Sequence, residues 1–370
     1  MTPRDFLDLH APTAPPPERT PLRVRAGETV GVVLVGTGGP SSPREAQPYL
    51  YRLLMDAARV RLPFLPAAAR DGLARLIARR RAARLAAQLR AVGGASPECR
   101  LVREQAAEVE RALNRGLGAA HGVTFRAHVA LRYGEPGAAE ALAALRDERA
   151  DHVVVVPLTP AWLDAVSGGC LAWWRAQSAE AGLGALPTAV VIDLDGDGAF
   201  AAALRDRVSE ALQRFPREAR ADAHVLVAVH PAARFEGATP AETPLAALAT
   251  HALEGCAHPY RFAFGRTWGL ALQAAPGVED ELQRLARAGV RSVLVVPVGY
   301  VCETMDTAYE LDVVMRERAE RLGLLHYEVA GALNCSPAFL RALNDAVRDV
   351  LDLPASGDRL PAEARPARAA

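Results

Sequence analysis

The sequence predicts an α/β chain of two similar Rossmann-like halves, each a doubly wound parallel sheet, with a cleft between them. Three observations lead there. Four short runs, "VGVVLVG", "DHVVVVPL", "HVLVAVH" and "SVLVVPVG", have the length and β-branched content of strands buried on both faces. Segments of helical period such as "GAAEALAALRDERA", "FAAALRDRVSEALQRF" and "VEDELQRLARAGV" lie between them, so strand and helix alternate. The chain also says the same thing twice: "GAAEALAALRDERADHVVVVPLTP" and "VEDELQRLARAGVRSVLVVPVGY" each read as amphipathic helix, tight turn, buried strand and Pro at the strand exit.

Taken in order, residues 1–27 are rich in Pro and Arg, lack a hydrophobic signal region and are expected to be a disordered tail. The first half is expected over 28–194, opening with "VGVVLVGTGGP" and carrying the weaker strand candidates "VTFRAHVAL" and "TAVVIDLD". The second is expected over 195–335, beginning near "DLDGDGAF" and opening with "HVLVAVHPAARF". A helix within 336–352, "PAFLRALNDAVRDVL", is expected to pack back on the first half, and 353–370 read as a second tail.

Composition narrows the function classes. A chain of 370 residues with 50% hydrophobic content buries a large core, and its 43 basic and 43 acidic residues leave no net field to attract nucleic acid. All the basic residues are Arg. Five cysteines without a CxxC pair argue against a disulfide framework and for a reducing cytoplasm. No stretch approaches the ~20 apolar residues that cross a bilayer. The basic helix "RLIARRRAARLAAQLRAVGG", with Leu76, Ile77, Leu85 and Leu89 as its apolar residues, reads as a solvated face or as a guanidinium-bearing lip for an anionic ligand or a membrane surface.

In open α/β sheets ligands bind beyond the carboxyl ends of the strands, so the strand exits carry the chemistry. The first half ends its strands in "GTGGPSSP" and "PLTPAWLDAVSGG", which are small, hydroxylic or aromatic. "GTGGP" lacks both GxGxxG and GxxxxGK[ST], which makes it a turn for close ligand approach rather than a phosphate loop. The second half delivers His230 at the end of a buried strand, as a base or as a hydrogen-bonded structural histidine. Glu303, Asp306 and Glu310 follow the last buried strand at spacings of three and four, which on an α-helix is one face. They read either as first-turn acids favoured by the macrodipole or as oxygen ligands sharing a hydrated divalent metal. The remaining histidines show no HxxxH or HExxH spacing, which argues against a caged zinc.

The ordered pieces "LVGTGGPSSPREAQPYL", "RAVGGASP", "LRYGEP", "VVPLTPAWLDAVSGG", "VLVAVHP", "VLVVPVGYVCETMDTAYELD" and "ALNCSP" resemble the ferrochelatase family, from about Val30 to Leu351. The resemblance implies a chelatase-like fold and a lyase that inserts ferrous iron into a porphyrin, protoporphyrin IX or coproporphyrin III, in haem biosynthesis. It implies catalytic roles for His230, Asp306 and Glu310, with His230, Asp306 and Glu303 meeting the metal. Thr37, Arg132, Tyr133, Trp162, Ser167, Gly168 and Tyr309 are expected to line the porphyrin cleft. No organic cofactor is implied, and iron is a substrate. The scattered cysteines lead us to expect no iron–sulfur cluster. A monomer in the cytoplasm is expected, with peripheral contact to the inner membrane left open. Four positions depart from the family pattern: Gly36 replaces an Asn in the opening turn, Pro231 follows the histidine in place of Gly, Thr304 replaces a His, and Asp306 replaces a Glu; the family's Gln-Ser-Arg strand aligns only loosely with "FAFGRTWG". Two alternatives remain beside iron insertion: a cobalt or sirohydrochlorin chelatase, and a degenerate, non-catalytic porphyrin- or haem-binding paralogue.

Overall fold

Valine-rich runs with no polar face must be covered from both sides, and the chain arranges this twice. The computed structural model describes residues 14–18, 20–56, 67–195, 198–235, 239–265 and 276–354. After a two-residue strand Leu22–Arg23 (β1), the first sheet comprises Thr29–Gly36 (β2), Thr124–Leu131 (β3), His152–Pro157 (β4) and Thr188–Val190 (β5) in the order β3-β2-β4-β5. The second comprises His224–Val229 (β6), Tyr260–Phe264 (β7), Ser292–Val298 (β8) and His326–Val329 (β9) in the order β7-β6-β8-β9. All pairings within both sheets are parallel. The two orders are the same permutation, so the repeat seen in the sequence is a repeat of topology. β2, β4 and β8 are buried along their whole length, and each fully buried Val or Leu contributes about 1.5–3 kcal/mol.

The crossovers of the first half are Ala46–Met55 (α1), Ala67–Ala91 (α2), Glu98–Leu113 (α3), Ala138–Asp147 (α4) and Gly169–Glu180 (α5). Those of the second are Pro244–Ala252 (α7), Val278–Arg287 (α8) and Met315–Arg321 (α9), with Ala199–Leu212 (α6) leading in from the first half. The final helix Pro337–Arg348 (α10) packs on both α3 and α6, with Phe339 edge-on to Phe200 at 6.2 Å. One apolar cluster runs through both halves, from Val30, Phe125 and Val154 to Val227, Leu294 and Phe339. The halves therefore share a core beneath the cleft.

Several expectations change in the structure. Part of the expected tail is structured: within residues 20–27, β1 pairs with Leu351–Asp352 (β10), and Val24 is buried. Pairing with the far end of the chain supplies the backbone partners that composition alone could not reveal. The basic helix α2 buries Ala74, Ala78, Leu85 and Leu89 but leaves Leu76, together with Leu73, exposed. The acidic segment is not an α-helix, because Asp306–Val314 is π-helical and Glu303 precedes it. Glu303, Asp306 and Glu310 accordingly do not form one helical face.

Candidate active site

The strand exits of the two halves converge on one cavity. Its lining includes Gly36 at the end of β2 and Thr37 after it, Leu158 and Thr159 after β4, His230 after β6, and Gly299, Tyr300 and Asp306 after β8. In both sheets these exits flank the switch point where strand order reverses, between the first strand of the half and its third. The cavity volume is about 70 Å³, small beside the about 300–1,000 Å³ of ordinary ligand pockets.

His230 continues the β6 ladder by one bond, its N–H donating to Val298 O at 2.9 Å. The chain then turns at Pro231 into a 3₁₀ helix, and this turn aims the Ala232 N–H at His230 Nδ1, 3.2 Å away. Nδ1 therefore accepts, and a neutral ring carries its proton on Nε2. Room for the ring comes from Gly299 at φ +101°, where a Cβ would stand 2.6 Å from His230 Cβ. The Tyr300 ring lies 4.9 Å from the imidazole, tilted by 52°, and the Tyr300 hydroxyl donates to Asp306 Oδ2 at 3.3 Å.

Asp306 opens the π-helical segment, and the turn before it is held by a hydroxyl network. Thr304 Oγ1 accepts from the Asp306 and Thr307 amides, at 3.2 and 3.4 Å. The Thr307 hydroxyl in turn donates to Glu303 Oε2, while Glu303 Oε1 accepts the Ala332 N–H at 2.8 Å. Both Glu303 oxygens thus serve the backbone and the turn, and Glu303 is absent from the cavity lining. Asn334, at φ +49°, accepts the Glu303 N–H on its side-chain oxygen, which explains the "LNCSP" piece as a brace for this turn. Gln105 of α3 ties the same region to the first half, donating to Val301 O at 3.1 Å and Asn334 O at 2.8 Å. π-helical segments of this kind occur frequently at functional sites.

Of the residues expected to line the cleft, Thr37, Ser167, His230 and Asp306 do so. Ser167 is buried and shares a 2.6 Å hydrogen bond with Thr159. Arg132 and Tyr133 are buried and lie behind the lining of this cavity. Arg132 is ion-paired with buried Asp56 at 3.0 Å, Tyr133 also donates to Asp56, and the Tyr133 ring meets cavity-lining Tyr49 edge-on at 6.4 Å. Their place follows from the β2–β3 ladder, which continues one step too far for them to turn outward: Arg132 N bonds Gly36 O, and Tyr133 N bonds Thr37 O. Trp162 packs on the outer cluster of the first half and donates to Asp164 at 2.9 Å. Gly168 accepts the Ala14 N–H, Tyr309 packs beside Tyr133 and Met305, and Glu310 is buried outside the lining.

Sequence reasoning missed Tyr300, Tyr49 and Glu98. Glu98, in the first turn of α3, is buried, lines the cavity and accepts the Gly38 N–H at 3.2 Å. Its one available signal was its place directly after "GGASP". The thiols nearby report the local field. Burial first, then Glu98, raises the Cys99 thiol to about 11, and burial followed by Glu98 and Glu303 pushes Cys302 well above the usual thiol range. Buried acids such as Glu98 in the lining, with Asp306 beside them, favour a cation here. Among the described residues no group of three or more His, Cys, Asp or Glu side chains forms a closed metal cage.

Comparison with known proteins identifies the family. The family model for ferrochelatase matches residues 29–351. Ferrochelatase of Geotalea daltonii is 29% identical over 328 residues, covering 87% of this chain and 98% of that protein. Ferrochelatase of Trichodesmium erythraeum is 27% identical, covering 88% and 83%. Among solved structures, a multi-domain Deinococcus radiodurans protein described as similar to chelatases has TM-score 0.45 and 15% identity, covering 90% of this chain and 56% of that one. SirB of Bacillus subtilis, solved with Fe3+, also has TM-score 0.45 and 15% identity, covering 66% and 89%. The family model spans the sheets of both halves and every strand exit that meets at the cavity, and on that match the chain belongs to the ferrochelatase family.

Proposed function

We propose that this protein is a metal chelatase of the lyase class that inserts ferrous iron into a porphyrin in haem biosynthesis. The observation that carries the reading is that His230 and Asp306 line one cavity and are bridged by Tyr300. Insertion exchanges one Fe2+ for the two protons on the pyrrole nitrogens. The macrocycle must bend so that its nitrogen lone pairs leave the ring plane, and two rigid halves over a shared core can hold it bent at the expense of binding energy.

His230 is the proton acceptor in this scheme. With Nε2 already protonated in the neutral ring, uptake occurs at Nδ1 and releases the buried Ala232 N–H, a cost of about 1–3 kcal/mol. Asp306 offers oxygen to a hydrated cation, which binds loosely enough on so few ligands to be passed on. Glu310, buried further along the same segment, is proposed to act on the proton or metal path rather than in the cavity. No organic cofactor enters this chemistry, and iron is a substrate.

The test is an anaerobic insertion assay with protoporphyrin and coproporphyrin side by side, comparing wild type with His230→Ala. Loss of about 100-fold or more is expected, the usual range for a positioned acid–base group. Equal rates reject the assignment. A Soret shift on adding porphyrin with no metalloporphyrin formed would instead identify a non-catalytic binder, and preference for cobalt would identify the other chelatase class.

The finer placement is cytoplasmic and peripheral to a membrane. No helix among the described residues is long and apolar enough to cross a membrane. Helix α2 does expose Leu73 and Leu76 among Arg75, Arg79 and Arg80, the composition that favours an anionic lipid surface. Co-sedimentation with anionic vesicles that weakens as salt rises is expected, and equal retention on neutral vesicles would reject it.

A further inference from the structure

Tyr300 touches both groups to which the proposed reaction assigns work, yet the reaction itself asks nothing of a phenol. It is buried, at 6% exposure, and lines the cavity. Its ring lies against the His230 imidazole, centroids 4.9 Å apart, and its hydroxyl reaches Asp306 Oδ2 at 3.3 Å. Two glycines make that position available. Gly299, at φ +101°, turns the chain so that Tyr300 follows the strand exit, and a Cβ at Gly265 would come within 3.3 Å of the Tyr300 hydroxyl oxygen.

We propose that Tyr300 is a positioning residue that fixes the Asp306 carboxylate and the His230 ring relative to one another, so that the incoming cation and the departing protons are handled at one spot. The proposal rests on the metal-insertion reading. A misplacement of about 1 Å can cost on the order of 100-fold where geometry carries the rate. Asp306 is short and stands at the mouth of a π-helical segment, so one hydroxyl donor has considerable leverage over where its oxygens point. The ring and the hydroxyl have separable tasks. The ring confines His230, and the hydroxyl confines Asp306.

That separation supplies the experiment. Tyr300→Phe keeps the ring and removes the donor; Tyr300→Leu removes both. For Tyr300→Phe we expect the KM for ferrous iron to rise several-fold, up to about 10-fold, with the KM for porphyrin unchanged. For Tyr300→Leu we expect a further fall in kcat. In an Asp306→Asn background Tyr300→Phe should have no additional effect, because it acts through the carboxylate. Binding of Zn2+ without porphyrin, followed calorimetrically, should weaken by a similar factor in Tyr300→Phe; this reads the proposal even if the wild type inserts no iron, an outcome that would reject only the function. An unchanged metal KM and Zn2+ affinity in Tyr300→Phe overturns the proposal. So does an equal loss in the Asp306→Asn background, or a loss of activity that tracks a lowered melting temperature, either of which assigns Tyr300 to general stability.

Discussion

The two halves have the same strand order and can be superposed in register through a proline. Val35 pairs with Pro157 in the first sheet, and Ala228 pairs with Pro297 in the second. Two residues beyond those pairs stand Thr37 and Thr159 in one half, and His230 and Gly299 in the other. On the opposite flank Arg132 N bonds Gly36 O, just as Gly265 N bonds Val229 O. Equivalent places therefore hold Thr37 between Arg132 and Thr159, and His230 between Gly265 and Gly299. The second half clears both flanks with glycine, so an imidazole and a phenol fit at the exit. The first half fills the same places with hydroxyls and a buried ion pair. The comparison teaches that a repeated scaffold need not repeat its side chains: at equivalent places one half sets hydroxyls and an ion pair, the other an imidazole flanked by glycines.

The largest expected effect breaks that ion pair. Arg132→Ala removes the 3.0 Å ion pair to buried Asp56 while the Arg70 charge and the Tyr133 hydroxyl still act on that carboxylate, and a loss of about 1.5–3 kcal/mol in urea-unfolding stability is expected. A loss below about 1 kcal/mol would show that the pair is not the support described here. The next pair of variants sharpens the asymmetry. Asp306→Asn is expected to lower kcat/KM for metal by about 100-fold, whereas Ser167→Ala, which removes one hydrogen bond to Thr159 on the opposite wall, should cost about tenfold or less and act on the porphyrin KM. Steady-state kinetics with each substrate varied in turn checks both, and equal losses on the two sides would erase the division of labour.

Much of this was legible in the chain. The four Val-rich runs are strands, and the repeated helix, turn, strand and Pro pattern is a repeated topology, because period and β-branching act locally. His230 and Asp306 at one cavity were legible because strand exits in parallel sheets share an end. The helical geometry of the acids was not. The expected face of Glu303, Asp306 and Glu310 assumed α spacing, while the Thr304 and Thr307 hydroxyls and Asn334 select a turn followed by a π-helical segment. Arg132 and Tyr133 lie behind the lining for a similar reason. Their backbone stays in the ladder, and Asp56, 76 or more positions away in sequence, draws their polar ends inward.

By itself the sequence determined the class of fold, its repeated topology, and the two strands that end at the cavity with an imidazole and a carboxylate, since burial pattern and strand polarity are properties of short segments. Tertiary structure decided which acid faces the cavity, which one braces a turn, and that Tyr300 contacts both His230 and Asp306. Those outcomes depend on backbone N–H groups and carbonyls brought together from distant elements. A residue's neighbours in space set its free energy there, and no spacing along the chain encodes them.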